Sequence, residues 1–338
     1  MKNVLLISFL SIIGCAKNPG NYKIPTDNKS ADASDSEQAD SLWQNRGDKD
    51  SLIKALDLYE KQFAASPDDR DLAARLVRGY YFLGDAHETE MDAKKVAWDK
   101  AFAYGQECLS KNPDYDAVIK KSGNKVEAIK MAKKEDVPCI YWSASSLGKW
   151  AKANGIVQSI KHKSTLFSFI SKVQELDPDY FHAAANRYWG AYYSVIPSFA
   201  GRDLNKSKEN FEKSIEIAPY YLGTYILLAD TYARNAQDHA TFDQAVQYVM
   251  ASDAEAINPD LLVENKVEIE KAAELWKERS SIFADAPEPE PLKNQPPQKQ
   301  EPAPEQPAEE PATPETQSPE GETPTPTETT PTETTPTE

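Results

Sequence analysis

Three cysteines and four histidines in 338 residues leave little material for metal or thiol chemistry. His87-Glu88-Thr89-Glu90 lacks the second histidine four residues on that a helical zinc site needs. His162 and His182 have no ligand-like neighbour within a turn, and His239 has only Asp238 beside it and Asp243 four residues beyond, the pattern of a helix cap. No glycine-rich phosphate loop, nucleophile elbow or paired-carboxylate motif is present, so nothing marks an enzyme, and no cofactor is implied. There is no excess of basic residues either. The formal net charge is −16, the wrong sign for a nucleic-acid binder. No stretch shows the period-two alternation of a half-buried strand. The apolar run Val4 to Ile13 is well short of the roughly 20 residues of a membrane-spanning helix.

That short run has the layout of a secretory signal, with Met1-Lys2-Asn3 before it. It closes on Ile12-Ile13-Gly14-Cys15, which resembles the bacterial lipobox, and predicts removal of residues 1–14 and acylation of Cys15. Ala16, not Asp, follows the cysteine. The expected destination is therefore the periplasmic face of the outer membrane, with stable attachment through more than one acyl chain. Residues 15–40 read as a polar tether whose reach is roughly 25–30 Å. From Ala286 to Glu338 the chain carries 15 of its 24 prolines, with two lysines against twelve glutamates, or −10 of the total −16. Such a segment has no apolar face to fold, and the expectation is a disordered acidic tail over 286–338.

Between these ends, residues 41–285 read as a helical-repeat domain. Five helical stretches run into a proline: Pro67, Pro113, Pro178, Pro219 and Pro259. About twelve, eight and five residues before a proline stand small or apolar residues, such as Leu166, Ile170 and Val173, or Ser207, Phe211 and Ser214. A small residue lets two helices approach, a bulky one fills the gap, and proline stops the helix. The partner helices carry Gly79 with Phe82, Gly148 with Ala151, Gly190 with Tyr193 and Ala229 with Tyr232, and Ser51 and Asp71 read as helix caps. This is the pattern of tetratricopeptide repeats. The fold expected is all-α, a tetratricopeptide-like superhelix. The prolines are 46, 65, 41 and 40 residues apart, against 34 in an ordinary repeat, so the units carry insertions. The largest insertion, between Asp114 and Pro138, is Lys-rich and predicts an added helix. Cys108 and Cys139 could pair in an oxidising compartment, but the packing position of Cys108 favours a buried free thiol.

Over Val137 to Phe283 the chain resembles the T component associated with TRAP transporters, the TatT-type periplasmic lipoproteins. The motifs are Tyr141-Trp142, Gly148-Lys149-Trp150, Leu176-Asp177-Pro178-Asp179-Tyr180, Arg187-Tyr188-Trp189-Gly190 through Tyr193 and Pro197, then Gly201 before Asp203, and Phe211. Tyr80-Tyr81-Phe82-Leu83-Gly84-Asp85 fits as well. Arg202 and Glu268 depart from the pattern, Asn265 keeps a family-like position, and the tail lies outside the resemblance. The resemblance implies a non-enzymatic, membrane-anchored homotrimer that partners a TRAP-type periplasmic solute-binding protein. It also implies an apolar pore or cleft that handles a small apolar or carboxylated ligand. Trp142, Trp150, Tyr188, Trp189 and Tyr192, all on probable helices, are the candidate ligand-binding rings, with Arg187 as a fork for a carboxylate. Each ring could equally fill a repeat core, and Arg187 could be a structural ion pair. The other reading of the domain is an envelope-assembly adaptor that binds protein segments only.

Overall fold

A computed structural model of the chain describes residues 18–25 and 33–297. The signal segment, Cys15 and the tail beyond residue 297 lie outside the described residues. The helices are α1 (Ala33–Gln44), α2 (Lys49–Ala65), α3 (Arg70–Phe82), α4 (Met91–Ser110), α5 (Pro113–Ser122), α6 (Lys125–Ala128), α7 (Val137–Ala153) and α8 (Ile156–Leu176). They continue as α9 (Tyr180–Val195), α10 (Leu204–Ile217), α11 (Leu222–Leu227), α12 (Arg234–Ala236), α13 (His239–Met250), α14 (Ala254–Ile257), α15 (Leu262–Lys277) and α16 (Arg279–Ile282). No strand occurs among the described residues, and the fold is all-α.

Local chemistry sets the helix limits. Asp48 accepts the Ser51 amide at the start of α2, and Asp69 accepts that of Leu72 at the start of α3. The caps therefore lie upstream of Ser51 and Asp71, because the capping side chain must precede the first helical turn. Asn112 caps α5 with Pro113 in its first turn, where a missing N–H costs nothing. Helices α2, α8 and α10 stop two residues before Pro67, Pro178 and Pro219. Neighbours in sequence pack on one another: α1 on α2, α3 on α4, α7 on α8 and α9 on α10. The small residues sit where helices approach. A methyl group on Gly190 of α9 would lie 2.7 Å from the ring of Phe211 on α10, and one on Gly79 of α3 would meet Leu56 of α2.

Two parts of the chain differ from expectation. Within the stretch assigned to the tether, α1 begins at Ala33, Tyr22 and Ile24 pack on the core, and the Tyr22 hydroxyl donates to Glu60 (3.1 Å). Cys108 of α4 and Cys139 of α7, both fully buried, form a disulfide with Cα atoms 5.8 Å apart, which overturns the free thiol. The reason is the tight packing of α4 on α7, which no spacing rule between two lone cysteines reveals. The bridge spans the Lys-rich insertion, which does form helices α5 and α6. Asn112 holds the insertion from inside by donating to Asp136 (2.6 Å) and the Met131 carbonyl (3.2 Å).

Helix α15 ties distant parts of the chain together. Its Glu264 is 2.7 Å from Arg46, after α1, and 2.8 Å from Arg78 of α3. Its Lys271 is 2.7 Å from Asp85, in the π-helical turn Leu83–His87 that follows α3, and 2.9 Å from Glu268. Asp85 also pairs with Lys149 of α7. Asn265 accepts the Leu222 amide (3.2 Å) and donates to the Tyr220 carbonyl (3.1 Å), fixing α15 to the start of α11. Burial would raise the Glu264 carboxyl, but Arg46 and Arg78 outweigh it and hold the group below its ordinary 4.5. Asp85 behaves alike: burial opposes ionisation, and Lys149 and Lys271 hold it well below the carboxylate range.

Two outcomes follow. Mass spectrometry of the denatured, unreduced chain should find Cys108 and Cys139 bonded, and reduction should lower stability by about 3–4 kcal/mol, the chain-entropy value for a loop of this size; alkylation of both thiols without reductant would exclude the bridge. A carboxylate depressed on folding contributes stability above its unfolded pKa that is lost as pH falls through the folded one. Glu264→Gln should therefore lose about 3–5 kcal/mol at neutral pH, as expected when one partner of a buried pair is removed. Urea melts between pH 7 and 3 should show the gap from the parent chain narrowing below about pH 4.5; a constant gap would contradict the pairing.

Candidate functional site

Four helices present matching stripes to one another. Arg78, Tyr81 and Asp85 follow one face of α3 into its terminal turn, and Tyr141, Trp142, Ser145, Gly148 and Lys149 follow one face of α7. Glu264, Glu268 and Lys271 face them from α15, and the first turns of α9 complete the set. Residues three, four and seven apart share a helix face, which is why these side chains converge. Asp85, Glu268 and Lys271 keep 15%, 14% and 30% of their side-chain surface exposed although helices from both halves of the chain surround them.

The start of α9 is the unusual element. Phe181, His182 and Ala183 have φ of 44°, 60° and 56°, three consecutive non-glycine residues in the left-handed region. Each costs about 1–2 kcal/mol by the clash of Cβ with the carbonyl oxygen. Arg187, one turn on, offsets this. Its Nη1 donates to the His182 carbonyl (2.9 Å), its Nη2 donates to the Phe181 carbonyl (3.2 Å), and its guanidinium lies 4.2 Å over the Tyr221 ring. The turn aims two rings inward. Phe181 meets Trp142 edge-to-face (4.8 Å), and His182 stacks on Tyr221 (5.3 Å, 16°). Burial, then the Arg187 and Arg78 cations, hold His182 below its ordinary value and keep it neutral.

Arg187 is 3% exposed and carries no carboxylate partner among the described residues. Its remaining neighbour is the Tyr141 hydroxyl, 3.4 Å from Nη2. Around it the hydroxyls of Tyr81, Tyr188 and Tyr221 have no hydrogen-bond partner among the described residues. All three phenols are pushed up by burial and stay neutral donors at any physiological pH. The interior is thus walled by aromatic faces and edged by donors: the Arg187 guanidinium, three phenols, Arg78 already paired to Glu264, and lysines already paired to Asp85.

Of the five expected rings, Trp142, Trp189 and Tyr192 share one hydrophobic cluster with Tyr188 packed against it, and Trp150 lies in another. Trp142 and Arg187 both meet the Phe181 ring, at 4.8 and 6.0 Å. The Trp142 indole donates to the Tyr180 hydroxyl (3.1 Å) and its ring tilts against Tyr81 (5.2 Å). The Tyr188 hydroxyl reaches the gap left by Gly148, 3.1 Å from where a methyl would stand. Trp189 and Tyr192 instead pack with Phe167 of α8 and Tyr193 (5.1 Å from Trp189 to Phe167, 5.4 Å from Tyr192 to Tyr193). Trp150 forms a separate small cluster with Trp98 and Ala151, and its ring lies 6.1 Å from His162. Sequence reasoning passed over Tyr81, Asp85, Phe181 and Tyr221 as site residues. One signal was present: Asp85 and Lys149 are the only charges within Tyr80 to Asp85 and Leu147 to Trp150. The left-handed turn gave none. The remaining histidines serve structure, with His87 bonded to the Arg46 carbonyl (2.8 Å) and His239 4.0 Å from Asp243, which Arg279 holds.

Among the described residues no helix is long and apolar enough to cross a membrane. No curated protein matches the chain. The sequence model of the TRAP transporter T-component matches residues 49–283, from the first turn of α2 to Phe283 beyond α16, and so takes in every side chain of this interior except Arg46. The chain belongs to the TRAP transporter T-component family.

Proposed function

We propose that this T-component is a lipid-anchored periplasmic subunit that partners a TRAP-type solute-binding protein and receives a small organic anion with an apolar body. The carrying observation is Arg187, a buried cation without a carboxylate among the described residues, beside phenol donors that no described protein group takes up. A buried unpaired charge is costly, and an anionic ligand would neutralise it. The aromatic walls of Trp142, Phe181 and Tyr221 supply apolar contact, so an amphipathic carboxylate suits the site better than a hydrophilic one. Trp142, Arg187 and Tyr188 are the proposed contacts. Trp189 and Tyr192 would border the site through Tyr188, and Trp150 would act through α7. The adaptor reading is less well supported, because α15 already covers the face on which a peptide would lie.

Acylation of Cys15 would hold the subunit on the periplasmic face of the outer membrane, and a buried disulfide suits that oxidising compartment. Assembly as a homotrimer would have an apolar surface available on α8, where Ile156, Val157 and Ile160 are exposed. Val157→Asp with Ile160→Asp should then give a monomer by light scattering at unchanged helicity, and an unchanged trimer would move the contact elsewhere.

The ligand reading is tested with Tyr188→Phe and Tyr221→Phe. A hydroxyl without a protein partner adds nothing to stability, so melting temperatures should stay within a degree or two of the parent. Native mass spectrometry should show co-purified anion retained several-fold less in each. Destabilised variants with unchanged retention would mean that the hydroxyls serve the fold. Affinity capture from envelope extract should recover an extracytoplasmic solute-binding protein, and recovery of barrel-assembly proteins alone would favour the adaptor.

A further inference from the structure

Beyond α16 the chain does not leave the fold at once. Residues 286–297 form no helix or strand, bend at 293–294 and lie along α13. Ala286, Pro289 and Leu292, at three-residue intervals, are half-buried and Pro296, four residues further, is buried, while 287, 288, 290, 291, 293–295 and 297 are exposed. A three-residue repeat of inward side chains is the period of a polyproline II strand. Prolines cannot donate hydrogen bonds, and the groove supplies the donors. Gln244 Nε2 donates to the Pro291 carbonyl (3.1 Å) and Gln247 Nε2 to the Glu290 carbonyl (3.1 Å). Arg279, held by Asp243, donates to the Pro287 carbonyl (2.7 Å). One backbone donor runs the other way, from the Lys293 amide to Gln244 Oε1 (2.9 Å).

The fit is incomplete. Leu292 and Asn294 roof a cavity of about 310 Å³ whose floor is Ile215, Leu228, Ala245 and the stacked rings of Tyr225 and Tyr248, 4.6 Å apart. The leucine shares the rim with Lys293 and Asn294 and leaves this space open above the paired rings. Side-chain amides that read backbone carbonyls, beside an aromatic floor, are the means by which proline-rich strands are recognised elsewhere.

We propose that the α13 face is a docking groove for an extended proline-rich strand of a partner, with this chain's own Pro287–Asn294 strap as the resident occupant to be displaced. The strap is joined to the core at Phe283, so its effective local concentration is of millimolar order and a weak intrinsic fit keeps it seated. A partner strand with a bulkier apolar residue in the place of Leu292 would fill the cavity and compete. The sequence type is not rare in the chain itself: Glu288-Pro289-Glu290-Pro291 is followed by Glu301-Pro302-Ala303-Pro304. Recognition through the backbone tolerates such variation.

The test uses the full chain and a fluorescent synthetic peptide of residues 286–297. Replacing Pro289, Pro291 and Leu292 by Gly in the chain should weaken the strap and raise peptide affinity at least tenfold over the parent. Adding Gln244→Ala should remove that gain, and a peptide with Phe for Leu292 should bind several-fold more tightly than the native one. Affinity equal for both chains, or indifferent to Gln244→Ala, would overturn the proposal. In the unaltered chain the Lys293 amide should exchange hydrogen more slowly than an unstructured amide and lose that protection in Gln244→Ala; exchange at the unstructured rate would equally overturn it.

Discussion

The buried charge pairs of α15 are the constraint on which the interior depends. Glu264 sits between Arg46 and Arg78, and Asp85 sits between Lys149 and Lys271. Each carboxylate has two cations, so its desolvation is opposed from two sides. That arrangement holds the groups ionised and α15 in one place. The net stabilisation from such pairs is modest, because taking charges from water offsets most of the Coulomb attraction. Their effect is directional. Hydrophobic contact alone would let α15 slide along the aromatic face, whereas Glu264 and Lys271 fix its register against elements some two hundred residues earlier and Asn265 fixes it against the start of α11. Without α15, the stripe through Tyr81, Trp142 and Tyr221 would be an open aromatic surface.

The left-handed turn at Phe181 to Ala183 shows how one side chain supports a conformation that its own segment disfavours. Arg187 donates to two carbonyls of that turn and stacks on Tyr221. It therefore holds the backbone in place and leaves positive charge in the aromatic interior. Strained backbone persists where the surroundings over-determine it, and such places cluster at functional sites. Support of the turn and reception of an anion are not rival roles for Arg187. The carbonyls orient the guanidinium, and neutral carbonyls do not cancel its charge.

The family's sequence model covers the helices that build this interior of aromatic walls, neutral phenols and paired charges. The disulfide between α4 and α7 stiffens the scaffold around its largest insertion. At the far end of the fold, the strap on α13 gives the proline-rich segment a defined point of departure from the helices.

Much of this was legible in the residues alone. The residues before prolines marked the helix ends, and the small residues of the partner helices marked the close approaches at Gly79 and Gly190, because both obey local steric rules. The all-α class followed from the same periodicity. Arg187, Trp142 and Tyr188 were named from aromatic density and one fork-shaped cation; Trp142 and Arg187 both meet Phe181, while Tyr188 lies beside Gly148 and Trp189. Trp189 and Tyr192 were named on the same grounds and share the hydrophobic cluster of Trp142, whereas Trp150 lies in another, since density along a helix does not say which way each side chain faces. The charge pairs of α15, the Cys108–Cys139 bridge, the left-handed turn and the strap were decided only by tertiary structure. Each joins residues that no local rule connects, or rests on a partner far away in the chain, as Phe181 and His182 rest on how Arg187 is buried. Sequence determined where helices begin, end and touch, because those are nearest-neighbour forces. Packing decided which charges meet and which remain without a counter-ion, because that depends on what the folded chain brings within a few ångströms.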